Sequence, residues 1–384
     1  MRCDLFCSVV DNFGDIGICW RLARQLQSEH QWQVTLWVDD LVSFQKICHS
    51  VNPNLASQLQ HNVLVRHWTA VLPELTAADR PDLVIEALAC TIPLSYLEWM
   101  ASFTDKPLWL NLEYLSAEDW VHGCHALPSP HPQLPLQKYF FFPGFTAQTR
   151  GLLREHGLVE TLAELSGSAQ LQQQFWQGLG LLDAMDYQQK ISLFAYGQAG
   201  IESWLEQLAG AAGKTLLLVP QGQLATDLTQ LFSELKTGRF DHNSLSIRIL
   251  DFMPQPMYDQ LLACCDINFV RGEDSVIRAH WAGKPFIWQI YRQDEQAHLI
   301  KLQAFLDKYL QHAPEQQKAC IEKLHMAWNL EQDISAEFAV FSNFNEQIQM
   351  HNKKWQEYLI QQQDLASNLV RFAENKLIMS RNFS

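Results

Sequence analysis

The 384-residue chain is 47% hydrophobic and 18% charged, which describes a globular protein with room for two ordinary domains rather than a disordered chain. Its formal net charge of -14 argues against binding nucleic acid by bulk phosphate neutralisation. No apolar segment approaches the length of a membrane span and the N-terminus runs directly into "CDLFCSVV" without a basic leader, so a cytoplasmic protein away from membranes is expected.

In chain order, short apolar runs at residues 5–10, 34–38, 63–68, 83–88, 108–112 and 139–142 read as strands. Between them lie helical patterns, of which Ile16, Cys19, Ala23 and Leu26 form the first shared face. Near-continuous apolar strands alternating with helices imply a parallel sheet covered on both faces. Residues 150–188 keep a helical period but hold no strand, and read as a connection. The alternation then restarts, with strands expected at 192–196, 215–219, 247–252, 267–270 and 286–290 and helices at 223–235 and 255–264. From Glu295 onward the pattern is wholly helical. The expectation is an α/β protein of two doubly wound units facing a cleft, with a helical C-terminal region.

The turn "DNFGD" places Asp11 at the end of the first apolar run and Asp15 at or near the N-cap of the next helix. Two readings stay open: Asp15 caps the N–H groups of Gly17 or Ile18 in an ordinary turn, or the carboxylates carry chemistry. Phe13, a large apolar residue in this turn, fits the second better, and Gly14 lets backbone approach a ligand closely. In "RGEDS" (Arg271, Gly272, Glu273, Asp274, Ser275) an apolar strand ends in a cation and a helix is expected to open at Asp274 or Ser275 and close at Gly283. A helix N-terminus beside an arginine is a good seat for a diphosphate. Glu273 and Asp274 suit a sugar or cationic group better than an anion. Phe194, Tyr196 and Phe252 stand near strand ends, as nucleobase-stacking rings or as ordinary core. Asn111, Glu113 and Tyr114 end another strand with no mechanism legible from spacing.

The nine cysteines include no CxxC pair, and "HGCH" (His122, Cys124, His125) lacks the second ligand pair a zinc site needs, so reduced thiols are expected. His280 and His298 flank the second constellation as lone residues.

The stretches "VVDNFGDIGICWRLARQL", "LWLNLEYLSAEDW", "LPSP", "QKYFFFPGFT", "LFAYG", "FMPQPMYDQLL" and "RGEDSVIRAHWAGKPFIWQIYRQDEQAHLIKLQAF" resemble the elongation factor P–arginine rhamnosyltransferase (EarP) family over essentially the whole chain. The resemblance implies two Rossmann-like domains in the GT-B arrangement: an N-terminal domain over 1–180 on the protein-acceptor side, a donor domain over 181–355, and a C-terminal helix over 356–384 packing back on the first. It implies an inverting, metal-independent enzyme without a cofactor, moving L-rhamnose from dTDP-β-L-rhamnose to an arginine of translation elongation factor P. Carried over by residue, the essential carboxylates fall on Asp11, Asp15 and Glu273, and the thymine stacks on Phe252 with Phe194 and Tyr196 close to the donor. The diphosphate contacts fall on Gln255, Arg271, Gly272, Asp274 and Ser275, and Asn12, Phe13 and Gly14 lie in the vicinity of the sugar or acceptor. "FAYGQAG" departs from the family pattern after the tyrosine.

The chemistry agrees with the residues. A guanidinium, pKa above ~12, is a poor nucleophile until carboxylates orient it and take a proton. Asp15 is expected as the base, with Asp11 orienting and Glu273 positioning the sugar. The alternatives are a nucleotide-sugar glycosyltransferase with a glycan acceptor, or a non-enzymatic translation-factor binding module. A nucleotide-dependent oxidoreductase is disfavoured because "DNFGDIG" is not GxGxxG.

Overall fold

The computed structural model describes residues 1–10, 13–69, 71–149, 151–198 and 200–382. The chain forms two compact units, Met1–His156 with Ile360 onward, and Gly157–Leu359.

In the first unit, β1 (Arg2–Cys7), β2 (Gln33–Val38), β3 (Ser57–Gln60), β4 (Val63–His67), β5 (Leu83–Ala87), β6 (Leu108–Leu112), β7 (Pro128–Pro130) and β8 (Gln137–Phe141) form one sheet in the order β3-β4-β2-β1-β5-β6-β8-β7. All pairs are parallel except β3–β4 and β7–β8. Those two antiparallel additions, "SQLQ" and "PSP", are short and polar and leave no apolar run to find in the sequence. The chain winds outward from β1 in one direction through β2 and β4, then in the other through β5 and β6, so β1 and β5 bracket a topological switch point. The central strands are buried, and Phe6 packs on Trp37 and Tyr96 with ring centroids 5.4 and 4.7 Å away.

The second unit carries β9 (Gln189–Leu193), β10 (Thr215–Pro220), β11 (Arg239–His242), β12 (Leu245–Leu250), β13 (Ile267–Arg271) and β14 (Phe286–Gln289) in the order β11-β12-β10-β9-β13-β14. Only β11–β12 is antiparallel. Here β9 and β13 bracket the switch point. Two strand pairs thus aim their carboxyl ends at the places where ligands bind in such sheets.

The boundary differs from the expected 180. Helices Leu158–Gly167 and Ala169–Gly178 belong to the second unit, because Leu165 and Trp176 bury their side chains among Leu216, Leu218, Leu250 and Leu261. Helices run from Ala297 to Ile360, and the last one, Leu365–Asn382, packs in the first unit. Gln25 fixes its start, donating to Arg154 O at 2.8 Å and Asp364 Oδ1 at 3.2 Å. All nine cysteines are free; burial pushes the Cys3 and Cys265 thiols up, and the hydrogen bond with Cys19, together with burial, does the same for Cys7. Among the described residues no helix is long and apolar enough to cross a membrane.

Candidate functional site

At the first switch point β1 ends at Cys7, three residues earlier than the apolar run suggests. The reason is local: Ser8 Oγ and Val9 N donate to the carboxylate of Asp39, at 2.5 and 2.9 Å, instead of continuing the ladder. Val10 N then donates to Asp15 Oδ2 at 2.9 Å. Helix Gly14–His30 follows with Phe13, not Asp15, at its N-cap position, so Asp15 lies inside the first turn. Asp15 is 2% exposed, and the Tyr114 hydroxyl approaches Oδ1 at 3.3 Å while donating to Leu88 O at 3.0 Å. Leu88 and Ala89 both have left-handed backbone, φ 55° and 58°, which costs ~1–3 kcal/mol per non-glycine residue and recurs where a site needs a fixed shape. Half-buried Phe13 holds Lys46 Nζ 5.3 Å from its ring centroid. Asp11 and Asn12 lie outside the described residues.

At the second switch point Arg271 ends β13 and caps helix Gly272–Ala282 with extended backbone. Gly272 turns the chain into the helix at φ 63°, a left-handed conformation that favours glycine. The helix opens there rather than at Asp274 or Ser275, which puts Glu273 and Asp274 in its first turn. The Ser275 hydroxyl donates to the Arg271 carbonyl. The Arg271 guanidinium carbon stands 4.3 Å from the Phe194 ring centroid and 4.6 Å from that of Tyr196, and Nη1 donates to Ala195 O at 3.2 Å. A cation held between two rings keeps its charge while its side chain is fixed. Gln255 Nε2 donates to Asp274 Oδ2 at 3.4 Å, joining helix Gln255–Cys264 to the same turn. Phe252 is half-buried in the loop after β12, three residues before Gln255. Gly222 lines a groove of about 680 Å³ with Gln223, Thr226 and Lys236, and a side chain there would stand 3.6 Å from the Phe194 ring. Among the described residues no three His, Cys, Asp or Glu side chains gather as a metal ion would need.

The expected donor residues Phe194, Tyr196, Gln255, Arg271, Gly272, Asp274 and Ser275 are therefore one cluster, with Glu273 in its helical turn. One sheet thus holds a fixed cation at its switch point, and the other a buried carboxylate.

A family model described as Elongation-Factor P (EF-P) rhamnosyltransferase EarP matches residues 3–374. The chain belongs to the EarP family.

Protein-arginine rhamnosyltransferases of Pseudomonas putida and Pseudomonas aeruginosa are 46% identical over 377 residues and 42% over 372, covering 97% and 96% of this chain and 99% and 98% of theirs. A solved EarP structure, described as the structural basis for EarP-mediated arginine glycosylation of translation elongation factor EF-P, is 31% identical with a TM-score of 0.69, over 97% of this chain and 99% of that one. The UDP-GlcNAc 2-epimerase of Neisseria meningitidis bound to UDP-GlcNAc, 11% identical with a TM-score of 0.51 over 98% and 100% of the two chains, shares the fold alone. The fold class is thus GT-B-like.

Several residues of this EarP chain escaped the sequence reading. Tyr114 was visible at a strand end but its contact with Asp15, 99 residues away, was not. Asp259 and Arg278 pair at 3.0 and 2.8 Å between the two helices of the donor cluster, 19 residues apart in sequence. Gln289 did carry a signal, as the one polar residue closing the buried strand "FIWQ".

Proposed function

We propose that this chain transfers L-rhamnose from dTDP-β-L-rhamnose to an arginine side chain of translation elongation factor P, with inversion at the anomeric carbon and without a metal ion. Membership of the EarP family makes it a protein-arginine rhamnosyltransferase; the donor, the stereochemistry and the residue roles are our reading. The observation that carries it is the Arg271 guanidinium fixed between Phe194 and Tyr196 at a helix N-terminus, opposite in charge to the buried Asp15 carboxylate of the other unit.

In this reading Arg271, the N–H groups around Gly272 and the Ser275 hydroxyl hold the diphosphate, and cation plus helix dipole stabilise it as it leaves. They supply what a divalent ion supplies elsewhere, so transfer is expected to persist in a chelator. Phe252 stacks on the thymine, Gln255 and Asp274 add to the diphosphate contacts, and Glu273 positions the rhamnose. Phe194 and Tyr196 lie close to the donor. On the acceptor side, Asp15 and Asp11 receive the guanidinium by charge-assisted hydrogen bonds, with Asn12, Phe13 and Gly14 beside them. A guanidinium nitrogen attacks the anomeric carbon, the bond from that carbon to the diphosphate oxygen breaks, and Asp15 takes the nitrogen's proton. Val10 N–H and the Tyr114 hydroxyl, one on each Asp15 oxygen, fix the direction in which the carboxylate receives it. In this reading the enzyme works in the cytoplasm, where it would meet a translation factor.

Incubating the chain with elongation factor P and dTDP-β-L-rhamnose tests this by mass spectrometry. One deoxyhexose on a single arginine is the expected product. An unmodified factor alongside a modified glycan would transfer the reading to a glycan acceptor, and an unmodified factor that still binds would leave a binding module.

A further inference from the structure

The sheet order β9-β13-β14 puts Arg271 at the end of the middle strand, with the Phe194–Gly197 loop on one side and Gln289 on the other. Arg271 and Gln289 are register partners. Gln289, 6% exposed, reaches across to the loop: its Oε1 accepts Tyr196 N–H at 2.8 Å and its Nε2 donates to Gly197 O at 3.1 Å. A buried amide that both accepts from and donates to one loop fixes that loop in position and orientation. The preceding residue points to the opposite face, where Trp288 Nε1 donates to Gly272 O at 2.8 Å. The end of β14 is itself tied down, since Asn329 donates to Trp288 O at 2.8 Å and accepts from Ile290 N at 2.9 Å. Two consecutive residues of one strand therefore hold the two backbone segments that flank Arg271.

We infer that Gln289 is a positioning residue for donor binding, which acts by holding the Tyr196 ring, with Phe194, against the Arg271 guanidinium. In this assignment the two rings serve the cation rather than the base. Arg271, clamped from both sides and by Ala195 O, meets a diphosphate without first losing side-chain freedom, which is where preorganisation gains affinity. In this assignment Gln289 acts through the loop and not on the substrate. The inference rests on the reading of Arg271 as the diphosphate ligand.

The test measures binding of dTDP and of thymidine, which lacks phosphate, to the full chain. Gln289→Met keeps the side chain's length and removes both hydrogen bonds; Tyr196→Leu removes the ring without touching Gln289 and covers the case in which the buried variant does not fold. Both are expected to weaken dTDP about fivefold to tenfold and to leave thymidine unchanged. In an Arg271→Gln background neither change is expected to weaken dTDP further. Equal losses for thymidine and dTDP, undiminished losses in the Arg271→Gln background, or no loss at all would overturn the assignment. If Arg271→Gln alone binds dTDP normally, the donor reading of Arg271 fails instead.

Discussion

Asp259 and Arg278 form a fork-to-fork ion pair, with Nε on Oδ1 at 3.0 Å and Nη2 on Oδ2 at 2.8 Å, and their side chains are 4% and 0% exposed. The pair links helix Gln255–Cys264 to helix Gly272–Ala282, which carry Gln255 on one side and Asp274 and Ser275 on the other. Removing one partner leaves a buried charge without its counter-charge, so Asp259→Ala is expected to lose about 3–5 kcal/mol of stability in urea unfolding. The double change Asp259→Leu with Arg278→Met recovers most of it, since an apolar pair of similar volume avoids desolvating either charge.

Tyr114 is predicted to act on turnover rather than on donor affinity. Its hydroxyl bridges Leu88 O and Asp15 Oδ1, so Tyr114→Phe removes its contact with one carboxylate oxygen without opening a cavity. Loss of about 1–1.5 kcal/mol of orientation corresponds to a fivefold to tenfold fall in kcat. Steady-state kinetics should show that fall with the Kd for dTDP unchanged.

Acid should destabilise the second unit through its buried histidines. Burial lowers His280 from 6.5 to about 3, and it sits among Phe286, Phe305 and Trp355, accepting Trp355 Nε1–H on Nδ1 at 3.3 Å. His325 is likewise lowered to about 4 by burial. The folded protein keeps these rings neutral while the unfolded chain takes up protons near pH 6.5, so acid favours unfolding. Stability is full above pH 6.5 and falls as pH drops towards 3, by at most ~1.4 kcal/mol per pH unit for each ring. Denaturant unfolding at pH 7, 6 and 5 measures it, and His280→Leu should show a shallower decline than the parent.

Much of this arrangement was legible in the sequence because strand and helix periods are local. The apolar runs found eleven parallel strands, and "RGEDS" was visible as a charged turn because it is contiguous. What stayed hidden depends on contacts across the fold. Asp39, just past the end of β2, ends β1 early, the Asp15–Tyr114 contact spans 99 residues, and Gln289 reaches over a strand to Tyr196 from 93 residues away. The 156/157 boundary was missed for the same reason: Leu165 and Trp176 look like any helical apolar positions until the sheet that covers them is known.

The most direct measurement is Asp15→Asn, assayed for transfer to elongation factor P and, separately, for dTDP binding. Asparagine keeps the shape and an acceptor oxygen for Val10 N–H but cannot take a proton at pH 7. The account predicts a loss of turnover of at least ~10²-fold, the range of general-base catalysis, with the Kd for dTDP unchanged. Parent-like rhamnosylation by Asp15→Asn, or a loss of activity explained by lost dTDP binding, would contradict it.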